Sequence, residues 1–275
     1  MVYPDAFFLP LRRGRRFCIR YVPDAAPQRR GAILYVHPFA EEMNKSRRMV
    51  ALQARALAGV GWTVLQMDLF GCGDSEGDFG EAGWEQWVAD VIDASAWLRQ
   101  QTGRMPALWG LRAGCLVACQ AAARMTPTPE LCLWQPATSG KQSLQQFLRL
   151  KVTNQVLAGA APDRTDTQAL RERLAQGESL EIAGYMLSPS LASGLEAAEL
   201  LPPKASTGIA WLEVAASTPA ELSPAAQARL ESWRAAGHRV DAVAVPGAAF
   251  WQTLEITECP ALVEATLTAI AQWQT

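Results

Sequence analysis

Histidine is the scarcest chemistry-bearing residue in this chain: His37 and His238 are the only two among 275 residues. Imidazole is the usual general base at neutral pH, so a reaction that needs one has two positions to draw on. Long apolar runs are missing too. None approaches the roughly 18 residues that read as a membrane span. The N-terminal MVYPDAFFLPLRRGRR lacks the charge, apolar core and small cleavage residues of a secretory signal, in that order. These two absences lead to the expectation of a cytoplasmic protein with no transmembrane segment. An excess of one charge is also absent. With 25 Lys and Arg against 27 Asp and Glu, the net charge of −2 gives no electrostatic case for nucleic acid. The arginines Arg12, Arg13, Arg15 and Arg16 read as solvated hairpin positions. None of the six cysteines (Cys18, Cys72, Cys115, Cys119, Cys132 and Cys259) is in C-x-x-C spacing. Cys115 and Cys119, one helical turn apart, would suit a soft ligand pair only with partners from elsewhere. All six read better as buried free thiols, and nothing calls for a metal or cofactor.

What is present is a globular composition, 49% hydrophobic and 19% charged, at a length that admits one large α/β domain as readily as two small ones. Phe7–Leu11 and Arg16–Val22 read as an antiparallel hairpin. Gly31–His37, Trp62–Met67, Ala107–Leu111 and Leu131–Trp134 are continuous apolar runs, the mark of strands covered on both faces. Helical patterns alternate with them: Arg47–Ala58, closed by Gly59 and Gly61, Trp84–Gln100, and a segment opening at Gly114. From Ser139 to Pro203 the alternation lapses into helical patterns (Leu144–Leu157, Asp166–Ala175) with no strong strand. It resumes with a strand at Gly208–Val214, a helix capped by Ser223 with Pro224 at its first position, a strand at Arg239–Val245 and a closing helix at Ala261–Trp273. The expected architecture is α/β, a mostly parallel sheet with helices on both faces. Core halves at 1–138 and 204–275 are interrupted by a helical lid at 139–203. Ligands in such sheets bind beyond the C-terminal ends of the strands.

The sharpest motif is LWGLRAG. Gly110 and Gly114 bracket a strand–turn–helix junction at the spacing of G-x-S-x-G, the nucleophile elbow, but Arg112 stands at its centre. Several other stretches also resemble the α/β-hydrolase fold: HPF after the third strand, DLFGCGDS after the fourth, and PGAAFW after the last. More narrowly, YVHPFAEEMNKSRRM, LWGLRAG and FWQTLEI resemble the exosortase A system-associated hydrolase type 2 family, bacterial proteins named for neighbourhood with exopolysaccharide and PEP-CTERM sorting genes. That resemblance implies an α/β-hydrolase fold with a lid, and it implies no particular activity.

An acyl hydrolase of this fold needs a nucleophile at the elbow, an acid after a later strand and a histidine after the last strand. Arginine cannot attack a carbonyl. The segment Ala215–Pro224 offers only Glu221, and PGAAFWQTLEITECP has Phe250 and Trp251 where the histidine is expected. His238 precedes the last strand and reads as a surface residue. His37 lies at the correct edge, where the resemblance implies that it orients the oxyanion loop. The N–H groups of Ala113 and of the Phe39–Ala40 turn remain available to an anion or a carbonyl oxygen. The charge of Arg112 at a helix N-terminus calls for a negative partner. Two kinds are open: a carboxylate of Glu41, Glu42 or Asp74, or an anionic small molecule or acyl compound held by Arg112 with His37, Asn44 and Lys45 and walled by Trp251 and Phe250. The first function reading is an accessory or binding protein with the Ser-His-Asp site lost. The second is an active hydrolase or acyltransferase on an ester or thioester, with Cys72 and His37 as its conceivable pair. Association with further copies of the chain is left open.

Overall fold

The computed structural model describes residues 3–23, 30–157 and 166–273. Its centre is an eight-stranded sheet flanked on both faces by helices. The strands and helices run β1 (Pro4–Pro10), β2 (Arg15–Tyr21), β3 (Gly31–Val36), α1 (Glu41–Gly59), β4 (Trp62–Met67), α2 (Trp84–Thr102), β5 (Ala107–Leu111), α3 (Gly114–Ala122) and β6 (Leu131–Trp134). An insertion follows, made of α4 (Gly140–Leu157), α5 (Thr167–Ala175), β7 (Leu180–Ile182), β8 (Tyr185–Leu187) and α6 (Pro189–Ala197). The chain closes with β9 (Gly208–Ala215), α7 (Pro224–Ala235), β10 (Arg239–Pro246) and α8 (Pro260–Ala269). In the sheet the order is β1-β2-β4-β3-β5-β6-β9-β10. The β1–β2 and β2–β4 pairs are antiparallel and the rest parallel.

The unbroken apolar runs of β3, β5 and β6 are buried at every position because helices cover both faces of the sheet. One core lies against α2 and α3 and is continuous with the insertion through Leu144, Leu148, Leu170 and Leu191. The other lies against α1 and α8 and is rich in tryptophan, with Trp109 and Trp134 4.6 Å apart.

Several elements differ from the expectations. Helix α1 begins at Glu41, six residues before the apolar periodicity does. It has no side-chain cap, but Glu41 and Glu42 in its first turn complement the helix dipole. Helix α8 ends at Ala269, short of Trp273. The insertion holds a small hairpin, β7–β8, where the sequence shows helical patterns and no strong strand; its strands are three residues each, too short to show a period. Residues 158–165, within the stretch read as a lid, lie outside the described residues. His238, read as a surface residue, is covered, and its Nδ1 accepts from the Thr207 N–H at 3.4 Å. The arginine cluster is not uniformly solvated either. Arg16 is fully buried and forms a two-pronged ion pair with Asp90 of α2.

At the N-terminal edge of the sheet, Glu130 accepts from Arg239 Nη2 at 3.2 Å. Its Oε2 is buried without a partner among the described residues. Burial pushes this carboxyl from its usual 4.5 up to about 7, against the pull of Arg239. A carboxyl that holds its proton more tightly when folded stabilises the fold below its unfolded pKa. That contribution is lost as pH rises through the folded value. Glu130→Gln is therefore expected to be more stable relative to wild type at pH 8 than at pH 5, read from urea unfolding at the two values. An equal difference at both would show that the carboxyl is not displaced.

Candidate functional site

The site is built on the junction between β5 and α3. Arg112 has φ 55°, a left-handed conformation that costs a residue with a side chain about 1–3 kcal/mol. Backbone bonds hold it there: its N–H donates to Trp134 O at 3.0 Å, and its carbonyl accepts from Cys115 at 3.1 Å and Ala137 at 3.2 Å. The two bracketing glycines are required by contact. A Cβ on Gly110 would lie 2.7 Å from the Cα of Cys115; one on Gly114 would lie 2.5 Å from the carbonyl oxygen of His37 and closer still to that of Val36. The turn thereby lifts Arg112 over the C-terminal edge of the sheet with the start of α3 directly behind it.

The guanidinium is enclosed. Nε donates to Glu42 Oε1 at 3.2 Å, and the two side chains are each only 16% exposed. Nη2 donates to Gln146 of α4 at 3.4 Å, and Cζ lies 5.7 Å from the centre of the Trp251 ring. Burial raises the Glu42 carboxyl above the usual carboxylate range, and the nearby Arg112 offsets part of that rise. Beside the pair lies a cavity of about 320 Å³. Its polar lining includes Glu41, Glu42, Lys45, Arg112, Ser143 and Gln146, and its apolar wall is Phe39, Phe147, Leu150 and Trp251. Helix α1, the β5–α3 turn, helix α4 and the loop after β10 each contribute.

Of the residues singled out in the sequence, Arg112, Ala113, Phe39, Lys45 and Trp251 line this cavity, and His37, Ala40 and Asn44 do not. His37 is buried, and both its ring nitrogens are engaged. Nδ1 meets the Pro38 carbonyl at 2.7 Å and so carries the proton, while Nε2 accepts from the Leu69 N–H at 3.1 Å. Burial lowers its pKa, which favours this neutral form. Ala40 is buried at the start of α1 with φ 49°. Asn44 faces the insertion hairpin instead, donating to the Tyr185 hydroxyl at 3.5 Å. Of the three carboxylates considered for Arg112, Glu42 is the one paired. Asp74 belongs to the loop after β4, where its N–H donates to Asp68 Oδ2 at 3.2 Å. That loop is a scaffold: Asp68 also takes Arg47 at 3.1 Å, and a side chain on Gly73 would strike the Asp68 carboxylate.

Cys72 is buried in the same loop, and burial drives its thiol well above the ordinary range. All six cysteines are free and buried. Phe250 packs against Trp134 and Trp251, behind the wall rather than on it. Two things were not read from the sequence. One is the contribution of α4: Ser143, Gln146, Phe147 and Leu150 fall at the i, i+3, i+4, i+7 spacing of one helix face, a signal that was available. The other is Glu213 in β9, a buried acid that accepts from the Trp211 indole at 2.9 Å and from the Ser223 N–H at 3.2 Å. Glu221 is exposed.

This strand order, with a left-handed turn between the fifth strand and the helix behind it, defines an α/β-hydrolase fold. Residues 27–194, more than half of the chain, match the family described as serine aminopeptidase, S33, and the chain belongs to that family. No curated protein matches it. Among solved structures it resembles Est1E from Butyrivibrio proteoclasticus with ferulic acid bound, at 15% identity and a TM-score of 0.68, covering 97% of this chain and 100% of that one. It also resembles a serine hydrolase without a lid from Xanthomonas campestris, at 17% identity and a TM-score of 0.58, covering 98% and 95% of the two chains. A third is proline iminopeptidase from Mycobacterium smegmatis, at 14% identity and a TM-score of 0.53, covering 96% and 100%. At such identities the likeness carries the fold alone. No described helix is long and apolar enough to cross a membrane.

Proposed function

We propose that this α/β-hydrolase-fold protein works as a binding or accessory protein whose serine-hydrolase site has been lost. In this reading the cavity at Arg112 accepts an anionic small molecule or acyl compound, and the insertion between β6 and β9 covers it as a lid. The observation that carries it is Arg112 itself, a permanent cation in the left-handed turn where an acyl hydrolase needs its nucleophile. The absence of histidine from the sequence after β10 supports it, as does the engagement of both His37 nitrogens. Arg112 has five N–H donors and spends one on Glu42 and one on Gln146 among the described residues, so donors remain for a ligand. The resemblance of YVHPFAEEMNKSRRM, LWGLRAG and FWQTLEI to the exosortase A system-associated hydrolase type 2 family, named for its gene neighbourhood, is the support for setting this role in exopolysaccharide export or PEP-CTERM protein sorting. The competing reading, an active hydrolase or acyltransferase with an unusual nucleophile, has Cys72 and His37 as its pair. It gains no support from a thiol held protonated by burial or from an imidazole with both nitrogens engaged.

A fluorophosphonate is expected to leave the protein unlabelled, and p-nitrophenyl esters to be hydrolysed no faster than by a bland protein surface. Arg112→Ser alone should raise ester turnover by less than about tenfold, since the absent general base is worth ~10²–10⁴-fold. Stoichiometric labelling of one serine, labelling of one cysteine by iodoacetamide with loss of an activity, or rapid acylation of Arg112→Ser would overturn the reading.

A further inference from the structure

We propose that the ligand of the Arg112 cavity is a zwitterion with an apolar body: its anionic group sits on Arg112 and its ammonium on Glu41. This rests on reading the cavity as a binding site. The lining is electrically balanced, with two acids, Glu41 and Glu42, and two bases, Lys45 and Arg112. Glu42 is spent on Arg112, and Lys45 reaches the carbonyl of Gln252 at 3.4 Å. Glu41 is different. Its side chain makes no hydrogen bond or ion pair among the described residues, and its Oε2 is buried without a partner there. A carboxylate with one oxygen covered and no donor on its side chain has acceptor capacity left over, which a ligand N–H group at the cavity wall would use.

A simple anion on Arg112 would leave Glu41 without a partner, and a simple cation on Glu41 would leave the remaining donors of Arg112 unused. A molecule carrying both charges meets each with its opposite, the arrangement that gives electrostatic specificity. The remaining wall of Phe39, Phe147, Leu150 and Trp251 calls for an aromatic or branched aliphatic body. A volume of about 320 Å³ is near the small end of ligand pockets and suits a single amino acid or a close derivative rather than a polymer segment.

The test is calorimetric titration of the full chain with three probes: phenylalanine, 3-phenylpropanoate (which lacks the amine) and phenethylamine (which lacks the carboxylate). Phenylalanine is expected to bind at least about tenfold more tightly than either truncated probe, because a site built to pair a group penalises its removal. Glu41→Gln, a near-isosteric change, should erase the advantage over 3-phenylpropanoate without weakening 3-phenylpropanoate itself. Arg112→Ala, confirmed folded by its melting curve, should erase the advantage over phenethylamine. Equal binding of phenylalanine and 3-phenylpropanoate, wild-type affinity of Glu41→Gln for phenylalanine, or no heat from any probe at millimolar concentration would each sink the proposal. None of these results bears on the loss of acyl chemistry, which stands or falls on covalent labelling.

Discussion

Asp90→Asn is expected to lower the stability of the fold by about 3–5 kcal/mol, the cost of leaving a fully buried charge without its partner. Arg16 of β2 and Asp90 of α2 are both buried and meet through two bonds, Nε to Oδ2 and Nη2 to Oδ1, each 2.8 Å. Asp90 also accepts from the Phe70 N–H at 3.0 Å and the Gln86 amide at 2.7 Å, and the Arg16 guanidinium lies 4.9 Å from the Phe70 ring. Every lone-pair direction of the carboxylate is thus used, as a buried charge requires. An asparagine keeps the shape but removes the charge and turns one acceptor into a donor facing other donors. Arginine cannot shed its proton, so the mismatch stays with the folded state. The double variant Arg16→Met, Asp90→Leu should recover much of the loss, because well-packed apolar replacements of buried ion pairs are often neutral. Urea unfolding of the single and double variants checks both statements. A single-variant loss below about 1 kcal/mol, the worth of a surface pair, would mean that the pair is solvated.

Gly114→Ala is the second change with a large expected effect, a loss of about 3–5 kcal/mol, at the upper end for a single substitution. The added Cβ meets the backbone carbonyl oxygens of Val36 and His37. Backbone at the end of a central strand cannot swing aside as a flexible side chain would, so α3 must back away from β3. That shift carries Arg112 and Ala113 with it and disturbs the cavity as well as the fold. Gly59→Ala is the internal control. It lies in the last turn of α1 with nothing within 4 Å of the added methyl, and it should be neutral or slightly stabilising. Similar melting temperatures for the two variants would show that the close approach of α3 to β3 is not required.

The parts of the fold that were legible in the residues are those set by local pattern. Leu131–Trp134 reads as a covered strand because four consecutive apolar residues can be buried in a parallel sheet, and it is one. Helix α7 starts at Pro224 with the Ser223 hydroxyl accepting from the Ala226 N–H at 3.2 Å, as the Ser-Pro pair announces. The elbow could be located because two glycines four apart between a strand and a helix mark a close backbone approach. The same local logic failed for Arg16. The run RRGRR looks like a solvated turn, and nothing nearby distinguishes Arg16 from Arg15; the difference is Asp90, 74 positions away.

The sequence by itself determined the α/β alternation, the turn that carries Arg112, and the shortage of histidine that limits the chemistry there. These follow from periodicity, from glycine placement and from composition, which need no knowledge of what packs against what. Only the tertiary structure decided which carboxylate meets Arg112, that α4 lines the cavity with Gln146 and Phe147, that His37 spends both nitrogens on backbone groups, and that the Glu41 side chain has no partner among the described residues. Each of these is a contact between segments distant in the chain. Charges and aromatic rings find one another there only after burial of the apolar strands has brought their loops to one edge of the sheet.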